Sequence, residues 1–345
     1  MKGKYKFRVE GKNLLYNFEI KRNITILRGD SATGKTTLLL MLLQYFRDGA
    51  ASGYEVETDA NYYVFINPPN VGTWYDELST FHNTIIFIEE NNNFVRTRSF
   101  AKYVKTSDNY FVIVNRDPIK NLAYSTKEIY TLESKPSKDG LKHLYTFKEL
   151  YTNQEQIDNN FDLIITEDSN SGFQFFKHFF LEKVEKGGGN ARVLYTLEES
   201  AEKNVLCIVD GAAYGAHIQG IYKYSEDRLD RNIVLWMPES FEYLLLKAGI
   251  IEFEDVAKVL AEPYNYIECS KHFSWERFFT DLAIEHSSPE HKYSKKTLKS
   301  FYYSEENKEK FRKVIPEDLK KDNNNSSTEN SSSDGKNKMN LFYFY

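Results

Sequence analysis

The hydrophobic pattern of this chain changes repeatedly between the two-residue period of strands and the longer period of helices. Residues 4–9 and 15–20 alternate apolar and polar side chains on either side of Gly11, which predicts an antiparallel strand pair. Residues 23–28 have the pattern of a short buried strand, and residues 36–46 have that of a helix. The chain therefore begins with a hairpin, a strand, a glycine-containing loop and a helix.

The same alternation continues downstream in two series. The first series contains a predicted helix at 97–105 and predicted strands at 61–66, 84–88, 110–114, 127–131 and 143–147. The second series contains predicted strands at 161–166, 204–209 and 232–236, and predicted helices at 172–183, 213–224, 240–248, 252–261 and 274–285. Strands that alternate with helices are typical of mostly parallel α/β sheets.

Changes in composition divide the chain into four parts. Residues 1–148 and 160–250 are predicted to form two α/β domains, joined by a polar linker at 148–160. Residues 251–319 are predicted to form a helical C-terminal extension. Residues 320–345 are rich in Asn, Ser, Lys and Asp, and such a segment buries too little apolar area to offset its ordering entropy. We therefore expect a disordered tail there, although its last five residues, LFYFY, are apolar.

Bulk composition excludes several classes of protein. The chain has 345 residues, of which 41% are hydrophobic, so it can bury the cores of two domains. The net charge of −5 leaves no global basic excess for binding nucleic acid. The two cysteines, Cys207 and Cys269, have neither the number nor the spacing of a disulfide framework or a zinc site. The N-terminal residues lack a signal-peptide core and the apolar runs are too short to span a bilayer, so we expect a cytoplasmic protein without a membrane partner.

The loop between the strand 23–28 and the helix 36–46 carries a phosphate-binding motif. Its sequence matches G-x-x-x-x-G-K-[ST]. The expected nucleotide-binding residues are Gly29, Asp30, Ser31, Ala32, Thr33, Gly34, Lys35, Thr36 and Thr37. The glycines let backbone N–H groups face the phosphates, Lys35 reaches the β- and γ-phosphates, and the Thr36 hydroxyl ligates Mg²⁺. ATP and Mg²⁺ are therefore the predicted cofactors.

An acidic pair follows the apolar strand 84–88. Glu89 and Glu90 occupy the place of a Walker B segment, with Glu89 as a candidate metal ligand and Glu90 as the residue that positions the attacking water. The strand 110–114 ends in Asn115 and Arg116, and either side chain is a candidate sensor of the γ-phosphate. A solvated acidic or polar loop is the alternative interpretation of both segments.

The hairpin, strand, P-loop and helix resemble the nucleotide-binding domain of the ABC-type ATPases over about residues 1–132. The LSGGQ-type signature, with which those ATPases complete a site across a dimer, is not found in this sequence. The resemblance implies an ATPase and a homo-oligomer. The missing signature favours slow hydrolysis, or nucleotide binding as a switch.

Acidic residues also follow the strands of the second series. Glu167 and Asp168 follow the strand 161–166, and Asp210 follows the strand 204–209. These segments resemble the Toprim domain of primases, topoisomerases and the overcoming-lysogenisation-defect nucleases. The resemblance implies that Glu167 is an acid/base carboxylate and that Asp210 is a ligand of Mg²⁺. The second Asp of the family's D-x-D motif falls on Ala212. Asp168 and Glu242 are the candidates to replace it.

The two resemblances together define the predicted fold and function. The fold is α/β, a P-loop NTPase sheet followed by a Toprim-like domain, as in the overcoming-lysogenisation-defect ATPase-nucleases, many of which act against phage. The expected function is an ATPase coupled to a metal-dependent, nucleic-acid-processing domain. The alternative is an ATP-dependent regulatory switch with a catalytically silent second domain. A small-molecule kinase would need an arginine-rich lid, which residues 91–132 do not supply.

Lysines and aromatic residues interleave between residues 292 and 313. Such interleaving can bind nucleic acid through phosphate contacts and base stacking. A charged, solvated helix surface is the favoured interpretation of the same pattern. The apolar residues Trp275, Phe278, Phe279 and Leu282 lie at helical spacing and are predicted to pack on the second sheet.

Overall fold

The computed structural model describes residues 1–29, 33–66, 74–138, 140–152, 159–320 and 342–344. The chain divides into two compact units. The first contains Met1–Tyr151 and Ala261–Arg277, and the second contains Thr152–Leu260 and Phe278–Tyr345. Both units are mixed α/β, as the alternating pattern predicts. None of the helices within the described ranges is both long and apolar enough to cross a membrane.

The first unit is built on a nine-stranded sheet with the order β4-β1-β2-β9-β8-β3-β7-β6-β5. Its strands are β1 (Tyr5–Glu10), β2 (Leu14–Ile20), β3 (Ile24–Leu27), β4 (Glu55–Glu57), β5 (Asn61–Phe65), β6 (Thr84–Ile88), β7 (Tyr110–Val114), β8 (Ile129–Pro136) and β9 (His143–Glu149). The strands from β8 to β5 are parallel, whereas β1 pairs antiparallel with β2 and β4, and β8 pairs antiparallel with β9. The predicted hairpin is thus confirmed. The helices are α1 (Lys35–Asp48), α2 (Trp74–Leu78) and α3 (Arg98–Thr106).

The core of the first unit joins α1 to one face of this sheet. Leu38 and Leu42 of α1 are fully buried in one cluster with Phe7, Phe18 and Phe87 of the sheet. Burying a side chain of this size contributes about 1.5–3 kcal/mol. This packing fixes α1, and with it the end of the P-loop, against the sheet.

The second unit is built on a five-stranded parallel sheet with the order β11-β10-β12-β13-β14. Its strands are β10 (Leu163–Thr166), β11 (Lys183–Lys186), β12 (Asn204–Ile208), β13 (Asn232–Met237) and β14 (Phe342–Phe344). The remaining helices are α4 (Ser171–Phe179), α5 (Val193–Glu199), α6 (Ile218–Glu226), α7 (Phe241–Lys247), α8 (Val256–Ala261), α9 (Trp275–His286) and α10 (Glu305–Arg312). Both cysteines are buried and free, and burial raises the pKa of Cys207 to about 12.

The second unit differs from the sequence prediction in two places. The helix predicted over 172–183 ends at Phe179, and Lys183–Lys186 forms the strand β11 instead. This strand lies at the edge of the sheet and is partly exposed along its length, so it lacks the apolar run of an internal strand. The helix α5 at Val193–Glu199 has no counterpart among the predicted helices.

The C-terminal parts also differ from the predicted domains. Residues 251–319 do not form a separate extension, because Ala261–Arg277 belongs to the first unit and the remainder to the second. Trp275 lies under the Arg22 guanidinium of the first unit, whereas Phe279 contacts Tyr243 of the second. The apolar helical stripe is therefore divided between two cores.

The predicted tail is described only in part. Residues 321–341 and 345 lie outside the described residues, as do 153–158 of the predicted linker. Phe342–Phe344 form the strand β14, which pairs parallel with β13 from Leu235 to Met237, so the prediction of disorder is wrong for these three residues. An open strand edge can pair with any extended segment that reaches it.

Candidate functional site

The loop that carries the predicted phosphate-binding motif connects β3 to α1 and contains two glycines with positive φ. Gly29 has φ 128° and Gly34 has φ 96°, conformations that side-chain-bearing residues rarely adopt. A Cβ atom on Gly34 would also lie 3.1 Å from the Tyr16 hydroxyl and 3.1 Å from the Tyr145 ring. Tyr16 donates a hydrogen bond to the Gly34 carbonyl oxygen at 3.0 Å. Glycine is therefore required at position 34 for both conformation and space.

The Lys35 side chain is held over this loop. It is only 7% exposed, and its Nζ donates to the Gly29 carbonyl oxygen at 2.8 Å and to the Thr33 hydroxyl at 2.7 Å. These two acceptors are neutral and therefore hold the ammonium more weakly than an anion would. This geometry places the Lys35 ammonium group at the start of α1. The positive end of the helix dipole lies there as well, so both features favour a bound anion.

A cleft of about 510 Å³ opens at the start of α1. It is lined by Leu14, Tyr16, Thr33, Gly34, Lys35, Thr36, Thr37, Glu90, Arg116 and Tyr145. The Tyr16 and Tyr145 rings stack with their centroids 4.7 Å apart and form an aromatic wall. This size is typical of small-molecule sites. The cleft thus combines an aromatic wall, two cations, hydroxyl groups and one carboxylate.

Two glutamates follow β6, at the end of the strand. Glu90 lines the cleft, and its Oε1 lies 2.6 Å from Arg116 Nε. Glu89 lies at the strand end, where its N–H bonds to the Phe65 carbonyl oxygen and its carbonyl oxygen accepts from the Asn92 side chain. Of this pair, Glu90 is the residue that lines the cleft together with residues 33–37.

The strand β7 lies between β3 and β6, which places its C-terminal end beside both the P-loop and Glu90. Asn115 is buried there, accepting a hydrogen bond from Arg96 at 3.1 Å and donating to the Asp117 carbonyl oxygen. Arg116 extends into the cleft instead. Of the two candidate phosphate sensors, Arg116 is the one that lines the cleft.

The structure brings most of the predicted nucleotide-binding residues together. Thr33, Gly34, Lys35, Thr36 and Thr37 line one cleft with Glu90. Gly29 contacts Lys35, and the predicted residues Asp30, Ser31 and Ala32 lie outside the described residues.

The sequence interpretation missed the aromatic wall of this cleft. Tyr16 and Tyr145 are direct partners in the parallel pairing of β2 with β9. No local pattern signals a pairing between strands so far apart in sequence.

The second unit brings Glu167 and Asp210 into contact. Thr166 and Ile208 are register partners in the neighbouring parallel strands β10 and β12, so the residues that follow them meet at one sheet edge. The Asp210 N–H donates to Glu167 Oε2 at 2.9 Å. In the amide orientation that satisfies both of its polar atoms, Asn190 also donates to the Glu167 carboxylate, at 3.2 Å to Oε2. These donors fix the position of the Glu167 carboxylate at the edge of the sheet.

The neighbouring carboxylates also accept hydrogen bonds from helix starts. Asp168 accepts from the N–H groups of Asn170 at 2.8 Å and Gly172 at 2.6 Å, at the start of α4. Asp210 Oδ1 accepts from the Phe241 N–H at 3.2 Å, at the start of α7. A cavity of about 10 Å³ lies against Glu167, Asp168 and Asp210, close to the ~10–15 Å³ that one water molecule needs.

Two findings bear on metal binding. Within the described parts of the chain, no group of three or more His, Cys, Asp or Glu residues is arranged to hold a metal ion. Glu242, a candidate replacement for the missing Asp at Ala212, is only 1% exposed and accepts from the Tyr293 hydroxyl at 2.8 Å. Lys295 Nζ lies 3.7 Å from the same Glu242 oxygen. Glu242 therefore takes part in a buried polar network with Tyr293 and Lys295.

Three cations of the basic and aromatic segment near the C-terminus lie on α10 and pair with acidic residues of the same helix. Along α10, Lys308, Lys310 and Arg312 form ion pairs with Glu305, Glu306 and Glu309, three or four residues before them. Pairs of this kind are typical of a solvated helix surface. This arrangement favours the charged-surface interpretation over a nucleic-acid interface.

No family model matches this chain, and no curated protein or solved structure was found that matches it.

Proposed function

We propose that the first unit binds a nucleoside triphosphate with Mg²⁺ and hydrolyses it slowly. The observation that carries this proposal is the cleft in which Gly34, Lys35 and Thr36 face Glu90. This combination supplies backbone donors and an ammonium group for phosphates, a hydroxyl for a metal ion, and a carboxylate for a water molecule. ATP is the triphosphate that the resemblance to ABC-type ATPases favours.

The donor chemistry of the cleft fits Mg²⁺. Thr36 and Glu90 offer hard oxygen atoms on the same cleft, and Mg²⁺ binds such oxygens together with substrate phosphates. The Thr36 hydroxyl and the predicted ligand Glu89, next to Glu90 at the end of β6, would hold the ion, and Glu90 would position the attacking water. The bound ion would neutralise charge that develops on the β- and γ-phosphates.

Hydrolysis of ATP by the Glu90→Gln protein tests this proposal. We expect turnover to fall by about 10²–10⁴-fold, because glutamine cannot accept the proton of the attacking water. ATP binding should be retained or tightened, because a negative charge is removed from the phosphate site. Turnover and calorimetric affinity should be measured with and without Mg²⁺.

The matched control is Glu55→Gln, which changes an exposed glutamate of the same unit and should behave as the unaltered protein. An unaltered protein that binds no nucleotide would overturn the proposal. Full turnover in the Glu90→Gln protein would exclude Glu90 from the reaction.

The second unit has a candidate function of its own, metal-dependent cleavage of nucleic acid. The observation that favours it is the contact between Glu167 and the Asp210 backbone at the edge of a parallel sheet. The alternative is a catalytically silent unit that responds to nucleotide binding. Ala212 and the hydrogen bonds already made by Asp168 favour this alternative.

Nicking of supercoiled plasmid separates the two candidates. If the unit is a nuclease, nicking should require Mg²⁺ or Mn²⁺ and should fall at least about 100-fold in the Glu167→Ala protein, as expected for loss of an acid/base group. The exposed Glu198→Ala change in the same unit is the control. Absence of nicking by protein that binds ATP would favour the regulatory switch.

A further inference from the structure

The strands at the two sides of the second sheet differ in composition. The strand β11 has the sequence KVEK, so three of its four residues carry a charge. Charges on an edge strand hinder its pairing with another chain. The strand β13 has the sequence NIVLWM, without charge or proline, and its residues 233–237 are at most 2% exposed. It thus has the composition of an internal strand, which needs a neighbour on each side.

The strand β14 is the neighbour of β13 on the side away from β12. It consists of Phe342–Phe344 and pairs in parallel with residues 235–237. A ladder of this length contains few hydrogen bonds, and parallel pairs are slightly less stable than antiparallel ones. The free energy needed to release β14 is therefore small compared with that needed to unfold the unit.

The hydrogen bonds on the other side of β13 indicate which of its backbone groups face β14. The Trp236 carbonyl oxygen accepts from the Val209 N–H at 3.0 Å, on the β12 side. Because backbone groups alternate in direction along a strand, those of Leu235 and Met237 face β14 instead. Tyr343 is the register partner of Trp236, between these two residues. The Tyr343 N–H and carbonyl oxygen therefore face β13.

An uncovered β13 edge has backbone groups that complement those of a second copy of the chain. Two β13 strands that meet antiparallel across a twofold axis offer each other the same row of donors and acceptors. In a pairing centred on Leu235, Ile233 of each copy would lie opposite Met237 of the other. No charged side chain of β13 would oppose this contact, whereas two copies of β11 would bring charged residues together.

We propose that β14 shields the edge of β13, and that release of β14 makes this edge the contact between two copies of the chain. This inference goes beyond the function proposed for the first unit and does not depend on it. Because β14 belongs to the same chain, it competes with a second copy at an effective concentration of about millimolar. An edge that is open for about one tenth of the time binds about 10-fold more weakly. A dimer needs two open edges, so shielding of this extent weakens association about 100-fold.

The Tyr343→Pro change in the whole chain tests this proposal. Proline has no N–H, so it removes the donor that faces β13 without altering β13 itself. The Met237 amide hydrogen, which faces β14, should exchange with solvent at least about 10-fold faster. The dissociation constant of the dimer should fall about 100-fold, because both edges are open. NMR spectroscopy measures the exchange, and sedimentation equilibrium measures the association.

Two further proteins complete the test. Phe344→Pro is the matched control, because the Phe344 N–H points away from β13 and edge strands tolerate proline at such positions. This protein should exchange and associate as the unaltered protein does. A chain that ends at Lys320 lacks β14 and should behave as the Tyr343→Pro protein does.

Three results would overturn the proposal. Unchanged exchange of the Met237 amide in both the Tyr343→Pro protein and the shortened chain would show that β14 does not shield this edge. Faster exchange without stronger association would show that a second copy is not the partner of the edge. Association that leaves the Met237 amide unprotected in the dimer would place the contact elsewhere.

Discussion

Replacing Lys35 with alanine is expected to lower the affinity for ATP by about two orders of magnitude, since each hydrogen bond from a charged donor contributes about 1.5–3 kcal/mol. Lys35 Nζ lies 2.8 Å from the Gly29 carbonyl oxygen and 2.7 Å from the Thr33 hydroxyl, in a group with little exposure. A phosphate in the cleft would be a stronger acceptor than either of these neutral oxygens. Calorimetric titration with ATP and Mg²⁺ measures the loss.

Two further variants make this result interpretable. Lys35→Arg keeps the charge but changes its shape and reach, so it should recover only part of the affinity. Lys12→Ala removes an exposed lysine from the turn between β1 and β2 and should bind ATP as the unaltered protein does. A Lys35→Ala protein that melts normally and binds ATP with full affinity would show that this loop is not a phosphate site.

Replacing Glu128 with alanine is expected to destabilise the first unit by about 3–5 kcal/mol, the usual result of removing one partner from a buried ion pair. Glu128 has no exposed surface, and its Oε1 lies 3.3 Å from Arg22 Nε. Arg22 is only 4% exposed and its guanidinium lies 3.4 Å from the centre of the Trp275 ring. Without Glu128, a buried guanidinium would lose a carboxylate that lies 3.3 Å from its Nε.

Urea denaturation measures this loss as a lower midpoint. Combining Glu128→Leu with Arg22→Met should restore much of the stability, because apolar residues of similar volume often replace a buried pair at little cost. Glu55→Gln lies on the exposed surface. It should change the free energy of unfolding by no more than about 0.5 kcal/mol and so leave the midpoint unchanged. An unchanged midpoint in the Glu128→Ala protein would mean that the pair contributes nothing to the stability of this unit.

The sequence by itself determined the features that depend only on residues close together along the chain. The predicted strands 84–88 and 110–114 agree with β6 and β7 in both bounds, because each is an unbroken run of five residues that the fold buries completely. The motif residues from Thr33 to Thr37 line one cleft, because their spacing is set within one loop and one helical turn. The convergence of Glu167 and Asp210 followed from the rule that neighbouring parallel strands end at the same edge.

Tertiary structure alone decided the features that join distant segments. Tyr145 reaches the cleft only because β9 pairs with β2, and Arg116 reaches Glu90 only because β7 lies between β3 and β6. Glu242 became a buried partner of Tyr293, and Ala261–Arg277 joined the first unit. Hydrophobic periodicity reports which face of a strand or helix is buried, but not which distant segment covers it. That choice depends on the free energy of the whole packed arrangement, and so only the folded structure reveals it.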